Sequence, residues 1–296
     1  MGDTMASLYR GYDRAGLDAQ LNLRARWPEH PGYFARWERD SAVVRANHPC
    51  RCDLSYGPTG GQALDVFFAQ GQGGSAAGAP LVAFIHGGYW QSLDKGDFSY
   101  LAPTFTAAGI AFASLNYDLA PEVSIEAIVG QIRAALAWLH DRADEFDVDP
   151  ARLYAAGHSA GGHLAVMAMT TDWPALGKPA DLVKGACSVS GVYDLEPVRL
   201  SYHQDIVALD PGMVARMSPI RRIPAAAPPL ICAVGGEETE EFLHQQAAFA
   251  EAWRAGGHDV TIVDLPGRNH FTAVDALGEP AHGLFAAFRA LTQGSA

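Results

Sequence analysis

Gly157-His158-Ser159-Ala160-Gly161 follows an apolar run, Leu153-Tyr154-Ala155-Ala156, and precedes a helical pattern, His163-Leu164-Ala165-Val166-Met167. The spacing G-x-S-x-G at a strand-to-helix junction is what a nucleophile elbow requires. The serine sits on a sharp turn, and small residues two positions either side let the chain fold back without a clash. Its hydroxyl then stands above the sheet, with a helix N-terminus behind it. The pentapeptide alone decides little, because Gly- and Ser-rich chains produce it by chance.

Its surroundings decide more. Upstream, Leu81-Val82-Ala83-Phe84-Ile85 reads as a buried strand that ends in His86-Gly87-Gly88-Tyr89-Trp90, an HGG-type loop of the kind that offers oxyanion-hole amides. Downstream, the strand Leu230-Ile231-Cys232-Ala233-Val234 runs through Gly235-Gly236 into Glu237-Glu238. A further strand, Val260-Thr261-Ile262-Val263, is followed by Gly267-Arg268-Asn269-His270-Phe271. Serine, acid and histidine in that chain order, each past a strand end, predict the α/β-hydrolase fold.

Other strands are expected at 50–56, 63–69, 111–116, 152–157 and 184–190, and a helix at 124–139 with one apolar face. This alternation belongs to the α/β class: a mainly parallel central sheet, helices on both faces and a small cap. The reading is a single domain over 1–296. Residues 1–46 form an aromatic-rich helical arm, with helices at 17–26 and 33–46 broken apart by Pro28 and Pro31. The arm is expected to cover a sheet edge, the other option being that it lies over the site. Residues 71–80 are a Gly/Ala/Ser loop. Residues 195–228 break the rhythm and are the candidate cap.

Composition narrows the class. With 49% apolar residues, the chain can build one large core. No apolar run approaches the ~20 residues of a membrane span. Met1-Gly2-Asp3-Thr4-Met5-Ala6 lacks the basic-then-apolar pattern of a signal peptide. Cys50, Cys52, Cys187 and Cys232 read as reduced, which places the chain in the cytoplasm. No metal is expected, because C-x-x-C and H-E-x-x-H are absent. The net charge of −12 argues against nucleic acid and anionic membrane as partners. The expected partner is a small-molecule ester or amide; a homodimer is an admissible assembly.

Ser159 is the candidate nucleophile. A serine hydroxyl needs an adjacent base at neutral pH, and His270, in a Gly/Asn turn beyond a strand end, suits that role. His158 and His163 flank the elbow, with His158 expected to face away. His86 is expected to be structural, and His140 and His282 to lie at the surface or at helix ends. The acid lies among Glu237, Glu238, Glu240 and Glu241. Glu238 is preferred, Glu237 is second, and Glu240 and Glu241 read as first-turn helix acids. Asp264, at a strand end, is expected to point elsewhere. Gly88, Tyr89 and Ala160 can supply oxyanion-hole amides. Trp90, Tyr193 and Tyr202 are candidate pocket rings, with Trp90 equally readable as core.

His86–Ser92, Asn116-Tyr117-Asp118-Leu119-Ala120-Pro121, Gly157–Ala165 and Ser190-Gly191-Val192-Tyr193-Asp194-Leu195-Glu196-Pro197 together resemble the α/β-hydrolase kynurenine formamidases and their bacterial esterase relatives, over roughly residues 45 to 275. The resemblance implies a triad of Ser159, Glu238 and His270, acyl transfer to water through an acyl-serine, and no cofactor. One departure stands out: where relatives often carry Asp as the acid, this chain has Glu238 within Gly235-Gly236-Glu237-Glu238-Thr239-Glu240-Glu241-Phe242.

The expected activity is therefore that of a serine carboxylesterase on small esters, aryl-substituted ones among them. The alternative is an arylformamidase that uses the same residues. A distant third is a non-catalytic ligand receptor on a hydrolase scaffold, a reading that the retained serine, acid and histidine disfavour.

Overall fold

A computed structural model describes residues 7–71 and 78–294. Positions 72–77 of the expected loop, and Met1–Ala6, lie outside the described residues. Eight strands form one sheet: β1 (Cys50–Ser55), β2 (Ala63–Phe67), β3 (Ala79–Ile85), β4 (Ala111–Leu115), β5 (Val148–His158), β6 (Ala186–Val189), β7 (Leu230–Gly235) and β8 (Val260–Leu265). Their spatial order is β1-β2-β4-β3-β5-β6-β7-β8. β1, β2 and β4 pair antiparallel, and every pairing from β4 to β8 is parallel. The central strands are predominantly apolar because both faces are covered; Ser114 and Ser188 are buried polar exceptions. β4, β6 and β7 are buried at every position.

The helices are α1 (Arg14–Leu21), α2 (Leu23–Arg26), α3 (His30–Asn47), α4 (Ala102–Ala107), α5 (Ile125–Asp141), α6 (Ala160–Met169), α7 (Glu196–Arg199), α8 (Gln204–Val207), α9 (Pro211–Met217), α10 (Glu240–Ala255), α11 (His270–Ala273) and α12 (Gly283–Thr292). α5 shows how pattern becomes packing. Ser124 caps it by accepting from the Ala127 N–H at 3.2 Å, and its buried side chains include Ile125, Ile128, Val129, Ile132, Leu136 and Leu139. α6 differs: all ten residues are buried, and apart from His163 it is apolar on every side and wedged into the core.

The chain visits β4 on one side of β3 and then β5 on the other, so the connections leaving β3 and β5 diverge. Such a switch point opens a crevice at the carboxyl ends of the strands. The parallel register aligns those ends, pairing Ile85 with Gly157, His158 with Val189 and Gly235 with Leu265. The His86 loop, the Ser159 turn, Glu238 and His270 thus leave the same edge of the sheet.

The arm departs from its expected form in two ways. Its first helix breaks at Asn22, whose side chain accepts from Ala25 N–H at 3.1 Å and starts α2. Pro31 lies in the first turn of α3, where a missing N–H costs no helical bond, so it opens that helix rather than separating two. The arm also lies over the crevice, not simply along a sheet edge. Trp37 is fully buried, 5.2 Å from the Phe98 ring and 6.4 Å from Phe271. Large aromatic area drives this docking: rings on three elements exclude water from one another. In the 195–228 excursion, α7 to α9 are short. They are fastened by Leu195 N–H donating to Ser218 Oγ at 2.9 Å and by burial of Val198, Val207 and Val214.

Candidate active site

Ser159 occupies the turn between β5 and α6 with φ 58° and ψ −120°, a conformation that L-residues rarely adopt. The surroundings enforce it. Ser159 N–H donates to Val189 O at 2.8 Å, and a Cβ at Gly161 would stand 1.9 Å from Ile85 O. The two glycines of the motif are therefore a consequence of backbone crowding at the elbow.

The loop after β3 packs directly on the serine. A Cβ at Gly87 would lie 3.0 Å from that of Ser159, and one at Gly88 would lie 2.0 Å from Ser92 O. Gly88 has φ 104°, and Tyr89 and Trp90 follow with φ 50° and 59°. The strained run is held by Gln91 N–H and Ser92 Oγ, which donate to Gly88 O at 3.0 and 3.1 Å, and by Ala120 N–H, which donates to Trp90 O at 2.7 Å. His86 is structural, stacked on Tyr117 at 4.3 Å and 3.0 Å from Asn116 Oδ1. No described group accepts from the N–H of Gly88, Tyr89 or Ala160. Ala160 begins α6, where amides have no helical partner.

His270 begins α11, and its Nδ1 lies 2.6 Å from Glu238 Oε2. Glu238 is buried. Its other oxygen accepts from Gly235 N–H at 2.9 Å and from the Ser190 hydroxyl. Both carboxylate oxygens are thus satisfied, as a buried charge demands. The competing acids are engaged elsewhere. Glu237 and Asp264 are exposed. Glu240 and Glu241 lie in the first turn of α10, where they accept from the hydroxyls of Tyr12 at 2.8 Å and Tyr9 at 3.4 Å.

Ser159 and His270 line one cavity of about 210 Å³. Its aromatic wall comes from Phe34 and Trp37 of α3, Phe271, Tyr89 and Tyr202. The arm adds Asn22, Leu23 and Arg24, and the excursion adds His203. Of the three expected pocket rings, only Tyr202 lines the cavity. Trp90 is fully buried in the core, edge-on to His163 at 5.1 Å, on the side of the loop away from the cavity that Tyr89 lines. Tyr193 is also core: it stacks on Phe249 at 4.2 Å and donates to Ser188 Oγ at 2.8 Å.

His158 does not face away. It lines the cavity, with its ring 4.7 Å from that of His270, and its Nε2–H donates to His270 O at 2.8 Å. Burial, and secondarily the neighbouring His270, push its pKa well below 6.5, so it is neutral. His163 donates Nε2–H to Met217 O at 2.7 Å, and burial lowers its pKa to about 4. Ser190, the arm residues and His203 are the parts of the site that motif reading did not find. Ser190 lies within the quoted Ser190–Pro197 stretch, and its φ of 53° marks a tight turn beside the acid.

Among the described residues, no group of three or more His, Cys, Asp or Glu could hold a metal ion, and no helix is long and apolar enough to cross a membrane. The four cysteines are unpaired; the sulfurs of Cys50 and Cys52 lie 3.5 Å apart.

Known proteins place this geometry in a lineage. The BD-FAE family model matches residues 64–252. The chain is 30% identical over 230 residues to a kynurenine formamidase of Danio rerio, covering 76% of each chain. It is 28% identical over 275 residues to Esterase LipQ of Mycobacterium tuberculosis (strain ATCC 25618 / H37Rv), covering 87% of this chain and 61% of that one. A crystal structure of a provisionally assigned thioesterase from Silicibacter sp. TM1040 superposes with a TM-score of 0.78 at 29% identity, covering 91% of this chain and 97% of the other. The motifs, the sheet order and these similarities converge: the chain belongs to the BD-FAE family, a hydrolase of the kynurenine formamidase and esterase branch of the α/β-hydrolases.

Proposed function

We propose that Ser159, Glu238 and His270 are the catalytic triad of a serine carboxylesterase acting on small, aryl-substituted esters. The observation that carries this is the 2.6 Å contact between His270 and the buried Glu238 carboxylate, at the wall of the cavity that also holds the strained Ser159. Glu238 holds His270 in the tautomer with Nδ1–H, leaving Nε2 free to take the Ser159 proton. Ser159 Oγ then attacks the substrate carbonyl, and the N–H groups of Gly88, Tyr89 and Ala160 receive the developing oxyanion. The tetrahedral adduct collapses as His270 returns the proton to the departing alcohol. Water, deprotonated by His270, attacks the acyl-serine, and a second collapse releases the acid and restores Ser159.

The arm and residues 195–228 act together as the cap. The cavity volume and its aromatic wall suit a compact acyl group with a flat leaving group. The similarity to kynurenine formamidases supports a second reading, formamide cleavage by the same residues with a formyl group as the acyl part. Unpaired cysteines support a cytoplasmic location. The deciding experiment measures kcat/KM for N-formylkynurenine beside p-nitrophenyl acetate and butyrate. A formamide preferred over both esters by tenfold or more, on the order of 1.4 kcal/mol, would overturn the esterase reading in favour of the second.

A further inference from the structure

The cavity that holds Ser159 and His270 is lined by one permanently charged side chain, Arg24 of α2. The chain carries 33 acidic residues against 21 Lys and Arg, yet no carboxylate pairs with Arg24 among the described residues. Asp18, on the neighbouring α1, is taken up by Arg14 at 3.1 Å and by Tyr202 N–H at 2.8 Å. His203, whose pKa burial lowers to about 4, is neutral and paired with Gln91 at 3.2 Å.

The guanidinium is held in place without being neutralised. It lies 5.5 Å from the Phe34 ring centroid, and its Nη2 donates to Ser92 Oγ at 2.8 Å. A planar group fixed at one face and one nitrogen keeps its other N–H donors for a ligand. Arg24 is exposed whereas Ser159 and His270 are buried, so the charge stands at the mouth and the chemistry within. With the compact acyl group of the proposed substrate seated at the buried Ser159, its alcohol or amine part would extend toward this mouth.

We propose that Arg24 anchors a carboxylate on the leaving portion of the substrate, so that this site prefers small esters and amides whose alcohol or amine part is anionic. The inference rests on the serine hydrolase reading above. Phe34 and Tyr202 fit the same substrate class, because a flat ring between the scissile bond and the carboxylate would lie among them. An Arg–carboxylate pair is charge-assisted and directional, which makes Arg24 a specificity residue and not a part of the bond-breaking machinery.

The test compares acetate release from 3- and 4-acetoxybenzoate with release from the neutral 3- and 4-acetoxybenzamides, using p-nitrophenyl acetate as a control. The wild-type enzyme should favour at least one benzoate over its benzamide by about tenfold in kcat/KM, mainly through KM. Arg24→Gln should abolish that preference, read as the benzoate-to-benzamide ratio of kcat/KM within each enzyme so that a general loss of activity cancels, and Arg24→Lys should retain part of it. Equal use of benzoates and benzamides by the wild type, or an undiminished preference in Arg24→Gln, would overturn the proposal. Failure of the wild type to hydrolyse any of the acetates, the control included, would instead overturn the esterase reading on which it rests.

Discussion

Glu238 shows how far residue identity alone can carry an assignment. Four glutamates follow the β7 strand within five positions, and each is chemically competent. What separates them is burial and company. Glu238 turns inward to meet His270, Ser190 and Gly235 N–H, whereas Glu237 faces water. Glu238→Gln should therefore lower kcat by about 10³–10⁴, because the amide cannot stabilise the imidazolium or fix its tautomer. Glu237→Gln should stay within about threefold. Steady-state kinetics on one short ester distinguishes them, and the reverse ranking would move the acid to Glu237. The sequence pointed to the cluster and its resemblance to the kynurenine formamidases aligned Glu238 with the acid position, but it could not display the Ser190 hydroxyl that supports the chosen one. Trp90 marks the opposite case. An aromatic beside an oxyanion loop reads as pocket or as core; of the two adjacent rings, Tyr89 lines the cavity and Trp90 is fully buried against His163. Trp90→Ala should thus destabilise the protein by about 3–5 kcal/mol in denaturant unfolding. A mutant of unchanged stability with a widened substrate range would place Trp90 in the pocket after all.

Elements were legible where a periodic pattern met a buried face. The strands and α5 fall within a few residues of their expected bounds, since apolar strands and a 3.6-residue stripe leave few alternatives. The arm was less legible, because its helix break depends on Asn22 capping α2, and a single asparagine in a helical pattern is no clear stop signal. The linkage between α6 and the excursion was not legible either. It runs through His163 Nε2–H to Met217 O, at the end of α9. That histidine also has a consequence for acid stability. Its folded pKa of about 4 lies below the unfolded value near 6.5, so between those pH values the unfolded chain binds more protons. Stability then rises with pH through that window and is lost on acidification. His203, also at about 4, acts in the same sense. Melting temperature should fall as pH drops from 6.5 to 4, and His163→Gln, which retains a donor for Met217 O, should flatten part of that fall. An unchanged slope in the mutant would show that His163 is not held neutral by the fold.

At the scale of the whole molecule, the parallel sheet gathers the loops that leave its carboxyl edge, and the arm and the 195–228 excursion close over them. The mainly parallel sheet was legible from the alternation of apolar strands and helices, though its spatial strand order was not. The position of the arm was not, because aromatic residues spread over a polar helix reveal that something is covered without saying what. The resulting enclosure sets an expected size limit. Against p-nitrophenyl esters, kcat/KM should decline once the acyl chain exceeds about four carbons. Trp37→Ala, which opens the wall contributed by α3, should raise the hexanoate-to-acetate ratio. A wild-type preference for octanoate over acetate and butyrate would contradict an enclosed cavity of this volume.

The expectations for activity all depend on one side chain being the nucleophile. The most direct test exposes the folded enzyme to a fluorophosphonate and maps the adduct by peptide mass spectrometry. The account predicts stoichiometric modification of Ser159, loss of esterase activity in proportion to labelling, and no adduct in Ser159→Ala. Modification of a different serine, or labelling and activity that persist in Ser159→Ala, would contradict it.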